Sequence, residues 1–174
     1  MHFEAKVMVS GLYRVRETIR SVEDEIENLC IQFPEYPCLL SIPGFGPDVS
    51  SKVLAAISYP FRFTSGKQVL KMAGFDLCAN RSGKSSNSAT PVISKQGKTD
   101  LRYALYQAAL IASLTNKSFM TYYTNKLSGR QREKGIGTKM LVKLAAKLLI
   151  VAWTLMKKKE PFDPKYLQKG DAKV

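Results

Sequence analysis

Cys38-Leu39-Leu40-Ser41-Ile42-Pro43-Gly44-Phe45-Gly46-Pro47-Asp48-Val49-Ser50-Ser51-Lys52-Val53-Leu54-Ala55-Ala56-Ile57-Ser58 is the stretch that decides the fold. A short apolar helix is expected to run into Ile42-Pro43-Gly44-Phe45-Gly46. A second helix should follow, with Val49, Val53, Leu54 and Ile57 turned inward. Glycine lets the connecting turn take backbone angles that other residues avoid. It also lets the backbone approach a phosphate with no side chain in the way, so that N–H groups at the start of the second helix can face phosphate oxygens. This is the pattern of a helix-hairpin-helix. It makes Gly44 and Gly46 candidate DNA contacts of the kind that position a duplex without reading its sequence. The plain alternative is a tight turn inside a helical core.

Upstream, Ala5, Met8, Leu12, Val15, Ile19, Val22, Ile26, Leu29 and Phe33 fall at alternating steps of three and four. Such a narrow a/d stripe predicts a coiled-coil helix that pairs with another copy or with a neighbouring segment of a longer parent. Docking of the helix on its own domain is the other reading. Pro34 and Pro37 are expected to end it. Downstream, Thr64 or Ser65 should cap a short helix through Ala73, closed by Gly74. Residues 78–99 hold five serines, four Lys/Arg and no acid. They read as a loop with one short strand at Val92-Ile93. Helices are then expected from Thr99, with Leu101, Leu105, Ala108, Ala109, Ala112 and Leu114 buried, over Phe119–Leu127, and over Thr138–Lys158. In the last, Leu141, Leu144, Ala145, Leu148, Leu149 and Ala152 should face inward. The chain thus reads as mainly α. A coiled-coil helix (1–35) precedes a helical domain with the helix-hairpin-helix (36–160), and a loose polar tail follows (161–174).

A hydrophobic fraction of 45% and an aromatic fraction of 10% exclude wholesale disorder. Charge is unevenly placed. Residues 1–80 carry eight Lys/Arg and nine Asp/Glu, while residues 81–174 carry nineteen and five, a net +14. An excess confined to one half predicts a polyanion-binding surface, against the bland reading of a solvated lysine face. Arg81, Lys84, Lys95, Lys98 and Arg102 are candidate phosphate contacts on and after the serine-rich loop. Lys139, Lys143 and Lys147, four apart, would line one helix face as a second ridge.

Three cysteines and one histidine, without C-x-x-C spacing, do not make a zinc site and fit reduced thiols in a cytosolic protein. The five acids of the basic half do not cluster, so no metal ligands and no cofactor are expected in this chain. Spacing alone nominates no catalytic serine, because no His or carboxylate lies near those of the loop. The apolar run Leu148–Met156 is too short to cross a bilayer. No signal peptide is visible. A cytoplasmic, nucleoid-associated location without membrane partners is expected.

Taken in order, several blocks resemble the C-terminal "Transposase 20" domain of insertion-sequence transposases of the one-ten group, also called DEDD transposases or bridge-RNA recombinases. They are Leu39-Leu40-Ser41-Ile42-Pro43-Gly44-Phe45-Gly46-Pro47, Phe61-Arg62-Phe63-Thr64-Ser65, Lys71-Met72-Ala73-Gly74, Arg81-Ser82-Gly83-Lys84, Ile93-Ser94-Lys95-Gln96-Gly97-Lys98-Thr99-Asp100-Leu101-Arg102, Lys147-Leu148-Leu149-Ile150-Val151-Ala152-Trp153 and Glu160-Pro161-Phe162-Asp163. The resemblance covers about residues 36–164. One departure is Lys98, where the family often has Asn after the glycine.

The resemblance implies a RuvC-like domain with four acidic residues and bound Mg ahead of a coiled coil, which these 174 residues do not include. It implies a composite site in which a serine of this domain attacks a DNA phosphate. By motif that serine is Ser82, with Ser85, Ser86 and Ser88 as neighbours. It also implies a guide RNA as partner, beside DNA, and self-association through residues 1–33. The isolated chain is then expected to bind nucleic acid without recombining it. The main alternative is a non-catalytic helix-hairpin-helix module. A base-excision glycosylase is disfavoured because Asp76 is the only acid between Asp48 and Asp100. A purely structural coiled-coil adaptor would leave the basic half unexplained.

Overall fold

The computed structural model describes residues 2–78 and 92–168. Its elements are α1 (His2–Cys30), α2 (Tyr36–Leu40), α3 (Pro47–Ile57), a 3-10 turn (Pro60–Arg62), α4 (Gly66–Ala73), β1 (Leu77–Cys78), β2 (Val92–Ile93), α5 (Thr99–Thr115), α6 (Lys117–Leu127), α7 (Ile136–Lys158) and α8 (Lys165–Gln168). The protein is mainly α, with a long N-terminal helix.

α7 is the axis of the body. Leu141, Leu144, Ala145, Leu148, Leu149 and Ala152 are buried as their period requires, joined by Val151, Leu155 and Met156. α2, α4, α5 and α6 all pack against it. Each fully buried leucine contributes about 1.5–3 kcal/mol, so this helix carries much of the hydrophobic stabilisation. Lys157 and Lys158 in its last turn suit the negative end of the helix dipole.

α5 packs against α7, α6 and α3, with Leu101, Ala104, Leu105, Ala108, Ala109 and Ala112 all buried. Leu114 corrects the sequence reading: it is 68% exposed, and Ser113 is buried in its place. Position 114 is rotated away from the alanine face at 100° per residue. Ser113 tolerates burial because its hydroxyl donates to the Leu110 carbonyl. α6 begins two residues before the expected Phe119, because Asn116 caps it by accepting from the Ser118 and Phe119 N–H groups.

The alanine face of α5 also receives the α2–α3 turn. Gly44 has φ +87°, and a Cβ there would collide with the Ala108 carbonyl oxygen and crowd the Ala112 methyl. Only glycine satisfies both the angle and the approach. Val49, Val53, Leu54 and Ile57 of α3 are buried as expected.

α1 ends at Cys30, earlier than Pro34. Pro37 starts α2, in a first-turn position where its missing N–H costs nothing. The apolar stripe of α1 is open to solvent from Met8 to Leu29. Among the described side chains of α1, burial reaches only Glu27 and Cys30. α1 therefore does not dock its stripe along the body. At the joint, burial pushes the Cys30 and Cys38 thiols and the Tyr36 phenol above their ordinary values, with the Glu27 or Glu35 carboxylates adding to it. These thiols are poor nucleophiles.

The expectation of a loose tail after Glu160 is corrected up to Leu167. Phe162 stacks on Phe119 with ring centroids 5.3 Å apart, and its N–H donates to the Ser41 hydroxyl. Tyr166 and Leu167 are buried. An aromatic or leucine at these positions gains more from the core than the surrounding polar residues lose.

Gly44→Ala should lower unfolding stability by at least about 1–3 kcal/mol, the cost of a strained backbone angle. Gly46→Ala, which meets nothing within 4 Å, should stay within about 0.5 kcal/mol. Urea unfolding of the two variants checks this pair.

Candidate nucleic-acid interface

A short antiparallel neck pairs the described residues on either side of the serine-rich segment. β1 pairs with β2 in the register Leu77 to Ile93 and Cys78 to Val92. The sequence reading located β2 and missed its partner. Below the pair, the Ser94 N–H donates to the Asp76 carbonyl, and the Ser94 hydroxyl donates to the Asp76 carboxylate. One step further, the Lys95 N–H donates to the Gly74 carbonyl. Arg81, Ser82 and Lys84 lie outside the described residues, between the two strands of this neck.

The neck is held to the body at the end of α4. Gly74 has φ +74°. The Phe75 N–H donates to the Leu70 carbonyl and the Gly74 N–H to that of Lys71, closing the helix in a Schellman arrangement. Gly97 passes so near that a Cβ would collide with the Met72 carbonyl and the Gly74 N–H. Arg102, one turn into α5, completes the joint. It donates to the Ala73 carbonyl at 3.0 Å and to the Thr99 hydroxyl at 3.1 Å.

Lys95, Lys98 and Arg102 are thus gathered at the base of the loop. They are not equivalent. Lys95, held at φ +57°, and Lys98, at the N-cap of α5, are exposed. Arg102 is half-buried and its guanidinium is engaged with the chain itself. Lys98 also offers no acceptor to the first turn of α5, which an Asn would supply.

The other candidates lie apart. Gly44 is turned onto α5, as described. Gly46 is the N-cap of α3, open on its Cβ side. Asp48, however, already places a carboxylate in that first turn, ion-paired to Lys52 at 2.6 Å. On α7, Lys139 and Lys143 are exposed and share a face, while Lys147 is half-buried. The link before α7 adds Arg130, Arg132 and Lys134. Arg130 forms a two-pronged pair with Glu133 at 2.7 and 2.8 Å, and the hydrogen bond holds the Glu133 carboxyl below its ordinary value. Arg132 and Lys134 are exposed cations that the sequence reading left unassigned. Among the described residues, no three His, Cys, Asp or Glu converge as metal ligands. No helix of the described residues is long and apolar enough to cross a membrane.

A family model described as "Transposase IS116/IS110/IS902 family" matches residues 36–124, just over half of the 174 residues. The match runs from α2 through the turn, the neck and α5 into α6. The chain belongs to this transposase family. It is 26% identical over 125 residues to the pilin gene-inverting protein of Moraxella bovis, covering 72% of this chain and 38% of that protein. It is 25% identical over 151 residues to an insertion element IS110 uncharacterized 43.6 kDa protein of Streptomyces coelicolor, covering 86% of this chain and 36% of that one. The chain therefore spans little more than a third of the curated relatives it matches.

If Arg102 is a strut of the neck, Arg102→Met should destabilise this transposase domain by about 1 kcal/mol or more, the cost of leaving the part-buried Ala73 carbonyl without this donor. Lys143→Met, on an exposed helix face, should stay within about 0.5 kcal/mol. Thermal unfolding of both variants separates a structural arginine from a solvent-facing phosphate contact.

Proposed function

We propose that this chain is the DNA-binding C-terminal part of an insertion-sequence transposase, and that Ser82 is its nucleophile in DNA strand exchange. The observation that carries the reading is the family match over residues 36–124 on a chain whose second half has an excess of fourteen positive charges. The chemistry is transesterification. The Ser82 Oγ attacks a DNA phosphorus, a Ser–O–P bond forms, one phosphodiester P–O bond breaks, and the deoxyribose hydroxyl leaves with a proton. The phosphoester is conserved, so a later strand hydroxyl can reverse the step without an external energy source.

The neck supports this role physically. Strand pairing, the Asp76–Ser94 clasp and the Arg102 strut hold the described residues on either side of the segment that carries Ser82. Lys95 and Lys98, exposed beside the neck, are the residues this reading assigns to neutralising the incoming strand's phosphates. A divalent ion held by a RuvC-like acidic domain would stabilise the phosphate's developing charge. The chain alone would then bind DNA and leave its strands intact. The inversion of a DNA segment, named for the Moraxella relative, is one outcome of such exchange.

Three further assignments belong to the same reading. The α2–α3 unit acts as a helix-hairpin-helix through the Gly46 side of its turn. A guide RNA shares the basic half with DNA. The exposed stripe of α1 pairs with a second copy, because burying Met8, Leu12, Val15, Ile19, Val22, Ile26 and Leu29 together is what an a/d stripe favours.

Titration of a labelled duplex over a range of salt tests the reading. Affinity should fall steeply with salt, and Lys95→Gln and Lys98→Gln should each reduce the slope by about one unit. Sedimentation of the same chain should give a dimer that Ile19→Glu makes monomeric. Salt-independent or undetectable binding to duplex and structured RNA would overturn the nucleic-acid assignment. A monomeric parent would overturn the pairing of α1.

A further inference from the structure

The turn between α3 and α4 puts two aromatic rings into water, and the fold fixes them there. Around the 3-10 turn Pro60–Arg62, the Trp153 indole N–H donates to the Pro60 carbonyl at 2.8 Å, and the Lys157 ammonium donates to the Phe63 carbonyl at 3.1 Å. Arg62 donates to the Ala56 carbonyl at 2.7 Å and lies over the Phe63 ring, 4.6 Å from its centroid. Phe63 is thereby sealed into the core. Its neighbours are not: Tyr59 is 63% exposed and Phe61 54% exposed. The two exposed rings touch, with centroids 5.5 Å apart and planes tilted by 46°. The Lys157 ammonium sits 5.5 Å from the Phe61 centroid and 4.0 Å from that of Trp153.

Two adjacent aromatic rings held in solvent cost hydrophobic stabilisation that burial would have supplied. The flanking sequence is rich in cations, with Asp48 and Glu160 at its borders. From Val49 to Phe75 the chain has no acid and four Lys/Arg, and the end of α7 adds Lys157, Lys158 and Lys159. An exposed ring with a cation 5.5 Å from its centroid offers what one nucleotide calls for, a surface on which a base can stack and a charge for its phosphate. In a duplex both base faces are already stacked, so the complement is a nucleotide whose base is unpaired.

We propose that Tyr59 and Phe61, with Arg62 and Lys157 beside them, form a stacking site for an unpaired base of a nucleic acid strand. The site rests on the nucleic-acid reading above and adds a preference for single strands to it. It draws on both halves of the sequence, since Trp153 and Pro60 are 93 residues apart. It is also distinct in place from the loop neck.

The test uses Trp153, the single tryptophan of the chain, as a built-in reporter. A short oligothymidine, an oligouridine of the same length and a blunt DNA duplex are titrated separately at low salt. The fluorescence of Trp153 should change on adding the single strands, and the two single-stranded arms tell DNA from RNA as the source of the base. Tyr59→Ala and Phe61→Ala should each weaken single-strand binding roughly 5- to 100-fold. They should leave duplex affinity and the melting temperature unchanged, because both rings are exposed, and Phe61→Trp should retain binding. Single-strand affinity equal to the parent's in both alanine variants overturns the stacking site while duplex binding stands. An equal loss on duplex and single strands overturns it in favour of a general phosphate surface. A change of oligomeric state without a change of affinity overturns it in favour of a protein contact. Absence of binding to all three polymers removes this site and the wider reading together.

Discussion

The contact between Gly44 and the alanine face of α5 is the constraint on which the rest of the body depends. Helix backbones come this close only where both sides lack bulk: no side chain at 44, and single methyls at Ala108 and Ala112. The approach fixes the angle at which α2 hands over to α3. It also fixes α5, whose first turn carries Arg102 to the end of α4. The neck beside the serine-rich segment is thus tied, through one helix, to a glycine more than thirty residues upstream.

That arrangement separates two kinds of basic residue. Arg102 donates from two nitrogens, to the Ala73 carbonyl and the Thr99 hydroxyl, and so ties α5 to the end of α4. Lys95, Lys98, Lys139 and Lys143 are exposed to solvent. α3 shows the same distinction from the acidic side. Asp48 complements the helix dipole and holds Lys52, which leaves the turn at Gly46 less positive than a bare helix start.

Much of this was legible in the sequence. The 3.6-residue period placed every residue it named in α3 and α7 on a buried face, though α7 also buries Ile136, Met140, Val151, Leu155 and Met156, and Gly74 marked the end of α4. Leu114 was misplaced because an Ala/Leu-rich helix looks apolar all round, and only the partner helix decides which face is used. The segment after Glu160 read as a loose tail because Phe162, Tyr166 and Leu167 are scattered among polar residues; their burial depends on Phe119 and Ser41, far away in the chain. The neck was half visible, since strands of two residues carry no periodicity. The cluster of Tyr59, Phe61 and Lys157 could not be read at all, because its members meet only after α7 folds back over the 3-10 turn. Ser82 rests on the Arg-Ser-Gly-Lys motif.

The central claim is that a serine of this chain becomes covalently joined to DNA. The direct measurement supplies the chain with a RuvC-like acidic domain, Mg and a duplex substrate, digests the product and identifies by mass spectrometry the peptide that carries nucleotide. The account predicts the adduct on Ser82, lost in Ser82→Ala while duplex affinity stays the same. An adduct on another residue, or one that persists in Ser82→Ala, would contradict it.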